Sequence, residues 1–364
     1  MNKETQEKWA EKSVNAVNKV FPEPEFDNWE GCERLLSSAL ECATSIHHYV
    51  LEKIESALLL NRTAYYLQHA KADYSQIFPL YQQALTISEN LLGNEHPDTA
   101  SIISNLATLY WNNGNYAQAL SLHQQALATR EKFFGKDSPE TISNLNNIAA
   151  VYYAQGDYAQ TLPLYQQALT MQTNFFGVEH PDTAASFNNL AELYRIQGDY
   201  AQALPLYQQA LTITETVLGR EHPNTASTLN NIALLYQAQG DYAVALPLCQ
   251  RALAIKKKAL GSEHPDIALN INNLALLHQM QGNYAEALPL YQQALAISEK
   301  ILGIEHPQTA QSIHNIAYLY RAQGDYTQAL SLCQQGLAIR KKVLGVEHPD
   351  TALSFNNLAL VYQK

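Results

Sequence analysis

Glutamate and histidine stand side by side six times in this chain, in LGNEHPDTA (from residue 92), FGVEHPDTA (176), LGREHPNTA (218), LGSEHPDIA (260), LGIEHPQTA (302) and LGVEHPDTA (344). Such pairs are candidates for metal ligation or acid–base work. A metal site needs donor atoms converging to about 2 Å from one ion. Copies such as His180 and His222 lie 42 residues apart, in successive units whose packed helices sit roughly 8–10 Å apart, so they cannot share an ion. Within one copy, Glu179 and His180 are adjacent, and adjacent side chains point apart. The pattern reads better as a helix start. Proline is favoured at the first helical position, where its missing N–H costs nothing, which puts the histidine at the N-cap. One unit reads GKDSP and carries Ser138 in place of histidine, and serine is among the best N-caps. The acids after proline (Asp98, Glu140, Asp182, Asp266, Asp350) suit the positive end of a helix.

The elements that carry these joints repeat with one period. Gly-Asp/Asn-Tyr recurs with glycine at 114, 156, 198, 240, 282 and 324, every interval being 42 residues, and Ala72-Asp73-Tyr74 keeps the spacing without the glycine. A fixed period of this size means a solenoid or array. Each unit reads as two helices, A and B. From Pro223, Leu229, Ile232, Ala233 and Tyr236 form one buried helical stripe, and Gly240 ends helix A. Tyr242, Ala245, Leu246, Cys249, Ala252 and Leu253 form the stripe of helix B, which Gly261 ends. Helix B starts with a capping-box pattern: Asp73…Gln76, Asn115…Gln118, Asp157…Gln160, Asp199…Gln202, Asn283…Glu286 and Asp325…Gln328, with Asp241…Val244 lacking the return partner. Pro79, Pro163, Pro205, Pro247 and Pro289 fall in its second turn, where a proline removes one backbone bond and a mild shared bend is expected.

Composition excludes several function classes. The chain has 364 residues, 46% hydrophobic and 16% charged, with a net charge of −11. That balance disfavours non-specific binding to nucleic acid or an anionic membrane. No apolar run is long enough to span a bilayer, and the N-terminus lacks the apolar core of a signal peptide, so a cytoplasmic location is expected. Cys32 and Cys42 lie ten residues apart in one predicted helix, about 15 Å of rise, too far for a disulfide. Cys249 and Cys333 share the position that holds Tyr81, Tyr165, Tyr207 and Tyr291 elsewhere, and read as small buried substitutes. No nucleophile–base constellation, phosphate loop or metal spacing rises above the repeat, so neither an enzyme nor a cofactor is expected.

The string NNIALLYQAQGDYAVALPLCQRAL (230–253) resembles a tetratricopeptide repeat. The 42-residue period with LG-x-EHP between units is similar to that of kinesin light chains and nephrocystin-like bacterial proteins. The segment 9–43 resembles the lead-in to the sensor region of bacterial NB-ARC (STAND) signalling ATPases, here without any G-x-x-x-x-G-K-[ST] motif. A light chain would also need a long heptad coiled coil, and the first 28 residues, broken by Pro22 and Pro24, are too short for one. The resemblance implies an all-α fold, a right-handed α-α superhelix of antiparallel helix pairs. Its expected parts are a helical lead-in (1–28), an atypical helical cap or degenerate repeat (29–71) and seven 42-residue units (72–364).

It also implies that A helices line an inner groove that binds a protein or peptide, with an asparagine of helix A bonding the ligand backbone or its terminal carboxylate. The matching position is Asn105, Asn147, Asn189, Asn231, Asn273, Asn315 and Asn357. A structural amide bridging helices is the other reading of these residues. The preceding position is also polar (Ser104, Asn146, Asn188, Asn230, Asn272, His314, Asn356). Later in helix A the units diverge, and Trp111, Tyr153, Arg195 and Arg321 are the candidate anchors, since aromatics and arginine dominate binding energetics. Lys256-Lys257-Lys258 and Arg340-Lys341-Lys342 end two B helices, where positive charge complements the dipole. The lysines of a carboxylate clamp are missing from the matching positions. The function expected is a non-enzymatic protein-interaction scaffold. The alternatives are a detached STAND sensor module or a kinesin-light-chain-like adaptor. No B helix follows the last A helix, from Pro349, so either end-to-end self-association through Leu358, Ala359 and Tyr362 or a truncated parent chain is a further expectation.

Overall fold

Each histidine of the repeated joint accepts a hydrogen bond from the backbone N–H two residues ahead, past the proline. The bond joins His222 Nδ1 to the Asn224 N–H at 3.1 Å, and it recurs at His96, His180, His264, His306 and His348 at 3.1–3.2 Å. In the variant joint, Ser138 Oγ accepts from the Thr141 N–H, one residue further on. These caps satisfy donors that a helix start leaves without intrahelical partners. The threonine that follows closes the loop from the other side: Thr183, Thr225 and Thr309 each donate to the carbonyl of the loop glycine at 2.8 Å. That glycine has positive φ, 102° at Gly219, a region that L side chains avoid.

The computed structural model describes residues 3–25, 28–71, 74–262, 264–346 and 348–363, with the side chains of 70, 71, 74, 75 and 349 left aside. Among the described residues seventeen α-helices follow one another. α1 (Lys3–Val20), α2 (Trp29–Tyr49) and α3 (Ile54–Tyr66) come first, and α3 continues as a π-turn over Leu67–Lys71. Helix pairs then alternate as B and A: α4 (Tyr74–Leu92), α5 (Pro97–Asn112), α6 (Tyr116–Phe134), α7 (Pro139–Ala154), α8 (Tyr158–Phe176), α9 (Pro181–Ile196), α10 (Tyr200–Ile213, then a π-turn to Leu218), α11 (Pro223–Ala238), α12 (Tyr242–Leu260), α13 (Pro265–Met280), α14 (Tyr284–Leu302), α15 (Pro307–Ala322), α16 (Tyr326–Val343) and α17 (Pro349–Tyr362). The B helices run on through their prolines.

The chain divides into two compact units, 1–147 and 148–364. In the first, a core of Val14, Phe21, Ile46, Leu59, Leu60, Ile77, Tyr81 and Leu106 gathers α1–α5. In the second, A and B helices pair in sequence order, and successive A helices also touch: α9 with α11, α11 with α13, α13 with α15 and α15 with α17. Alanines at 191, 203, 233, 245, 275 and 287 are fully buried between helices, where a small side chain lets backbones approach. Cys32, Cys42, Cys249 and Cys333 are buried and unbonded to one another. Burial raises the Cys249 thiol to about 12, the behaviour of a packing residue.

The turn between A and B keeps only half of the expected capping box. Asn115, Asp157, Asp199 and Asp325 do accept from the N–H three residues on. At the described caps Asn115, Asp157, Asp199 and Asp325 no glutamine returns to the cap's own N–H, because that N–H already bonds the last turn of helix A, as from Asp157 to the Tyr152 carbonyl at 2.9 Å and, in the unit without a glutamine, from Asp241 to Tyr236. This is the Schellman closure that a left-handed glycine such as Gly240 (φ 81°) permits. The return partner is therefore redundant, and Asp241 caps Val244 as well as its counterparts cap glutamine. Asn283 makes no such cap, and Asp73 lies outside the described residues.

Replacing His222 by alanine is expected to cost about 1 kcal/mol, and replacing it by serine much less. Urea titration followed by circular dichroism reads the difference.

Candidate functional site

Pro223 and its counterparts fix the register of each A helix, and the asparagine eight residues later is half-buried in every unit. The seven copies are not equivalent. Asn105 donates to Asn61 Oδ1 at 3.0 Å, Asn273 donates to Asn230 Oδ1 at 3.1 Å, and Asn315 accepts from Gln311 at 2.8 Å. Among the described residues, the side chains of Asn147, Asn189, Asn231 and Asn357 make no hydrogen bond.

The preceding position does different work. Asn188 donates to Thr228 Oγ1 at 2.8 Å, Asn272 to Ser312 Oγ at 3.0 Å, Ser104 to Asn144 at 3.1 Å, and His314 Nε2 meets Ser354 Oγ at 2.7 Å. Each tie spans 40 residues and joins one A helix to the next. Asn230 and Asn272 are 7% and 5% exposed. Asn188 and Asn272 each use a donor between helices and Asn230 accepts from Asn273, while the Oδ1 atoms of Asn188 and Asn272 have no partner among the described residues. Asn146 is half-buried. The spacing that reveals these ties is 40 rather than the 42-residue period, so a search by period alone passes over Thr228, Ser312 and Ser354.

The divergent anchors also separate. Trp111 is half-buried, and its Nε1 has no partner among the described residues. Tyr153, Arg195 and Tyr207 converge on Glu192, the one carboxylate at its register. Arg195 Nε and Nη2 reach the two Glu192 oxygens at 2.7 Å each, Tyr153 Oη donates at 3.0 Å and Tyr207 Oη at 2.7 Å. Burial raises the phenols of Tyr153 and Tyr207, and the Glu192 charge adds to the rise. Burial alone would lower Arg195, but the hydrogen bonds and charge of Glu192 outweigh it and hold the guanidinium above its usual range. The Tyr153 hydroxyl and the Nε and Nη2 groups of Arg195 are thus turned to Glu192, while Arg195 Nη1 has no acceptor among the described residues. Arg321 differs. Its guanidinium lies 4.8 Å from the Tyr318 ring centroid, beside a shallow notch that His314, Asn357 and Val361 also line.

Two of the cations at B-helix ends are buried. Lys256 pairs with Asp266 at 2.9 Å. Arg340, 2% exposed, donates to the Asp350 carbonyl at 2.9 Å and to Ser354 Oγ at 3.0 Å. Both pin a B helix to the A helix that follows. The glutamates of the joints bond outward to lysines of the next B helix, Glu221 to Lys258 at 3.1 Å and likewise Glu95 to Lys132 and Glu305 to Lys342. Exposed pairs of this kind are worth little.

His314 replaces the tie asparagine of other units, and its larger ring needs space. Gly336 supplies it where every other B helix has alanine (Ala84, Ala126, Ala168, Ala210, Ala252, Ala294): a Cβ there would stand 2.7 Å from His314 Nε2. On α17, Phe355 is 43% exposed while its in-register counterparts Ile271 and Ile313 are fully buried.

The fold and the tied A helices define a helical-repeat solenoid built from antiparallel helix pairs. Tetratricopeptide-repeat matches run in overlapping windows from 55–132 through 140–216 and 224–300 to 308–364, and the chain belongs to the tetratricopeptide repeat family. Among solved structures it is similar to a putative kinesin light chain from Podosopora anserina with nearly identical TPR-like repeats, at 31% identity over 57% of this chain and 98% of that one, with a TM-score of 0.43. Its fold is similar to that of the Rap conjugation gene regulator of plasmid pLS20 in complex with the Phr* peptide (13% identity, 94% and 98% covered, TM-score 0.66). It is also similar to a Rap protein complexed with Competence and Sporulation Factor (15%, 98% of both chains, TM-score 0.58). Comparison with curated proteins finds no match. Among the described residues no helix is long and apolar enough to cross a membrane.

The His314–Gly336 pair yields a two-part expectation. Gly336→Ala destabilises the array, and His314→Asn in that background restores it by at least about 1 kcal/mol of coupling, because asparagine at this register reaches the serine of the next helix. Burial pushes His314 down to about 4, with the Arg340 charge adding to it. The neutral ring is the folded form, so its contribution is full above pH 6.5 and is lost as pH falls towards 4. The double variant should lose less stability over that window, read by denaturant titrations at pH 7, 5.5 and 4.5.

Proposed function

We propose that the A-helix face of the second unit binds a peptide or extended protein segment. The observation that carries this reading is the state of Asn189 and Asn231. Asparagine is a poor residue inside a helix, and at these two positions no hydrogen bond within the protein repays the cost. An amide offering both a donor and an acceptor on a half-buried face suits the alternating groups of a peptide backbone. Successive A helices lie against one another in this unit, which favours the A side as the concave side. The two Rap structures, which share the fold, hold a peptide and a sporulation factor, and they support a peptide ligand by analogy. The tied positions 188, 230 and 272 then act as scaffold, and the untied asparagines as readers. The exposed face of α17 around Phe355 and Tyr362 is proposed as a second surface, for contact between copies of the chain.

The test is selection of a displayed random dodecamer library on the full chain, repeated with Asn189→Ala/Asn231→Ala. Since neither side chain is bonded in the protein, the double variant should melt no lower than wild type, alanine being the better helix former. It should bind the selected peptides about tenfold or more weakly, the loss expected for two hydrogen bonds of about 0.5–1.5 kcal/mol each. Equal affinity for both proteins overturns the reading.

A further inference from the structure

Each Glu-His joint that leads on to another B helix sets its glutamate 37 residues before one register of that helix. Lysine holds this register at 132, 258, 300 and 342, and after Glu179 it is Thr216 instead. Lys132, Lys258 and Lys342 pair with Glu95, Glu221 and Glu305. Glu179 has no hydrogen-bond or ion-pair partner among the described residues. Thr216 turns its hydroxyl onto its own helix, donating to the Thr212 carbonyl at 2.8 Å. It lies in the π-turn that ends α10, where the Gly219 N–H bonds five residues back to Thr214, while Gly177, Gly261 and Gly303 bond four back. Such π-turns recur at functional sites. Here Glu179 and Thr216 border a cavity of about 600 Å³, a size suited to a ligand. Val178, Pro205 and the buried Ile213 give it apolar walls, and Glu179 is its only charged side chain among the described residues. Gln208 and Gln209 also line it, with exposed amides that make no hydrogen bond among the described residues. No described residue of an A helix takes part.

We infer that this cavity takes a lysine side chain from a segment of another protein, which supplies the ammonium that the chain supplies to itself at the other joints. The Glu179 carboxylate takes the charge in a charge-assisted hydrogen bond. The flexible methylene stem lies along Val178, Pro205 and Ile213, as the apolar part of a long cationic side chain lies on apolar surface in general. The amides of Gln208 and Gln209 offer donors and acceptors to the peptide groups on either side of the lysine, which favours a lysine within a chain over a free amine. The net charge of −11 attracts a basic segment to the surface. The site is independent of the A-helix asparagines, since it is built from α10 and the joint before α9.

The test is methyl NMR of the full chain, with Val178 and Ile213 reporting on the cavity and Ile304 as internal control. Ile304 holds the place of Val178 at a joint whose Glu305 is already paired with Lys342. Three probes are titrated: Nα-acetyl-lysine N-methylamide, its neutral norleucine counterpart, and butylamine, which has the ammonium and stem without peptide groups. The Val178 and Ile213 resonances should shift saturably with the lysine probe while Ile304 stays still. The lysine probe should bind at least about threefold more tightly than either of the others, the size of one partly exposed ion pair. Glu179→Gln and Thr216→Lys should each weaken it by a similar factor, one by removing the charge and the other by restoring the lysine of the other joints. Both positions are exposed, and circular dichroism checks that both variants fold. Cavity resonances that ignore the lysine probe, respond equally to norleucine or move together with Ile304 overturn the site, as does an affinity unchanged in either variant. Butylamine binding as tightly as the lysine probe overturns the assignment to a lysine within a chain.

Discussion

Backbone N–H groups at helix starts are the constraint on which the whole array depends. A chain made of many short helices has many starts, and each exposes donors that its own helix cannot satisfy. Here the two kinds of joint solve the problem differently. Between B and A, histidine takes one donor, proline removes another, and a threonine ties the loop back to its glycine. Between A and B, the cap residue gives its own N–H to the helix it leaves and its side chain to the helix it enters. Each joint therefore connects two helices through the backbone as well as through packing. That connection keeps the register constant from repeat to repeat.

A constant register lets neighbouring positions on one helix face be assigned different tasks. Position 188 and its counterparts reach the next A helix and lock the pair. Position 189 and its counterparts, one residue along, face elsewhere, and several have no partner. The same separation occurs at the end of helix A. Glu192 holds Arg195 and two tyrosines in one polar network, while Arg321 has only an aromatic ring beside it. An array with one sequence pattern thus carries both fastened and unfastened versions of each polar group.

The fold was legible because its signals are local. Glycine at positive φ, proline at the first helical position and an acceptor before it need only a few residues to be recognised, and Ser138 standing in for histidine pointed to the cap. The site was legible only in part. The capping box read from Asp157…Gln160 fails on its return half, since the sequence does not say that the Asp157 N–H is already taken by Tyr152. Lys256 and Arg340 read only as charges suited to a helix end, because their partners, Asp266 and the Asp350 backbone, lie in the following unit. Asn188 and Asn189 look alike in sequence, and only the position of the next helix separates the amide that ties two helices from the amide that does not.

Gly336 and His314 bear on how such arrays can be recombined. The ring and the gap that admits it sit on α15 and α16, on opposite sides of the turn at Gly324. A repeat cut out at the histidine–proline joints carries both, and can be moved as a cassette wherever the next A helix offers a hydroxyl at the serine register. A cut at the glycine–tyrosine turn parts them, leaving an oversized ring against alanine in one product and an unfilled gap in the other. By this criterion the heritable module of the chain runs from proline to proline, even though either joint would divide the sequence into equal lengths.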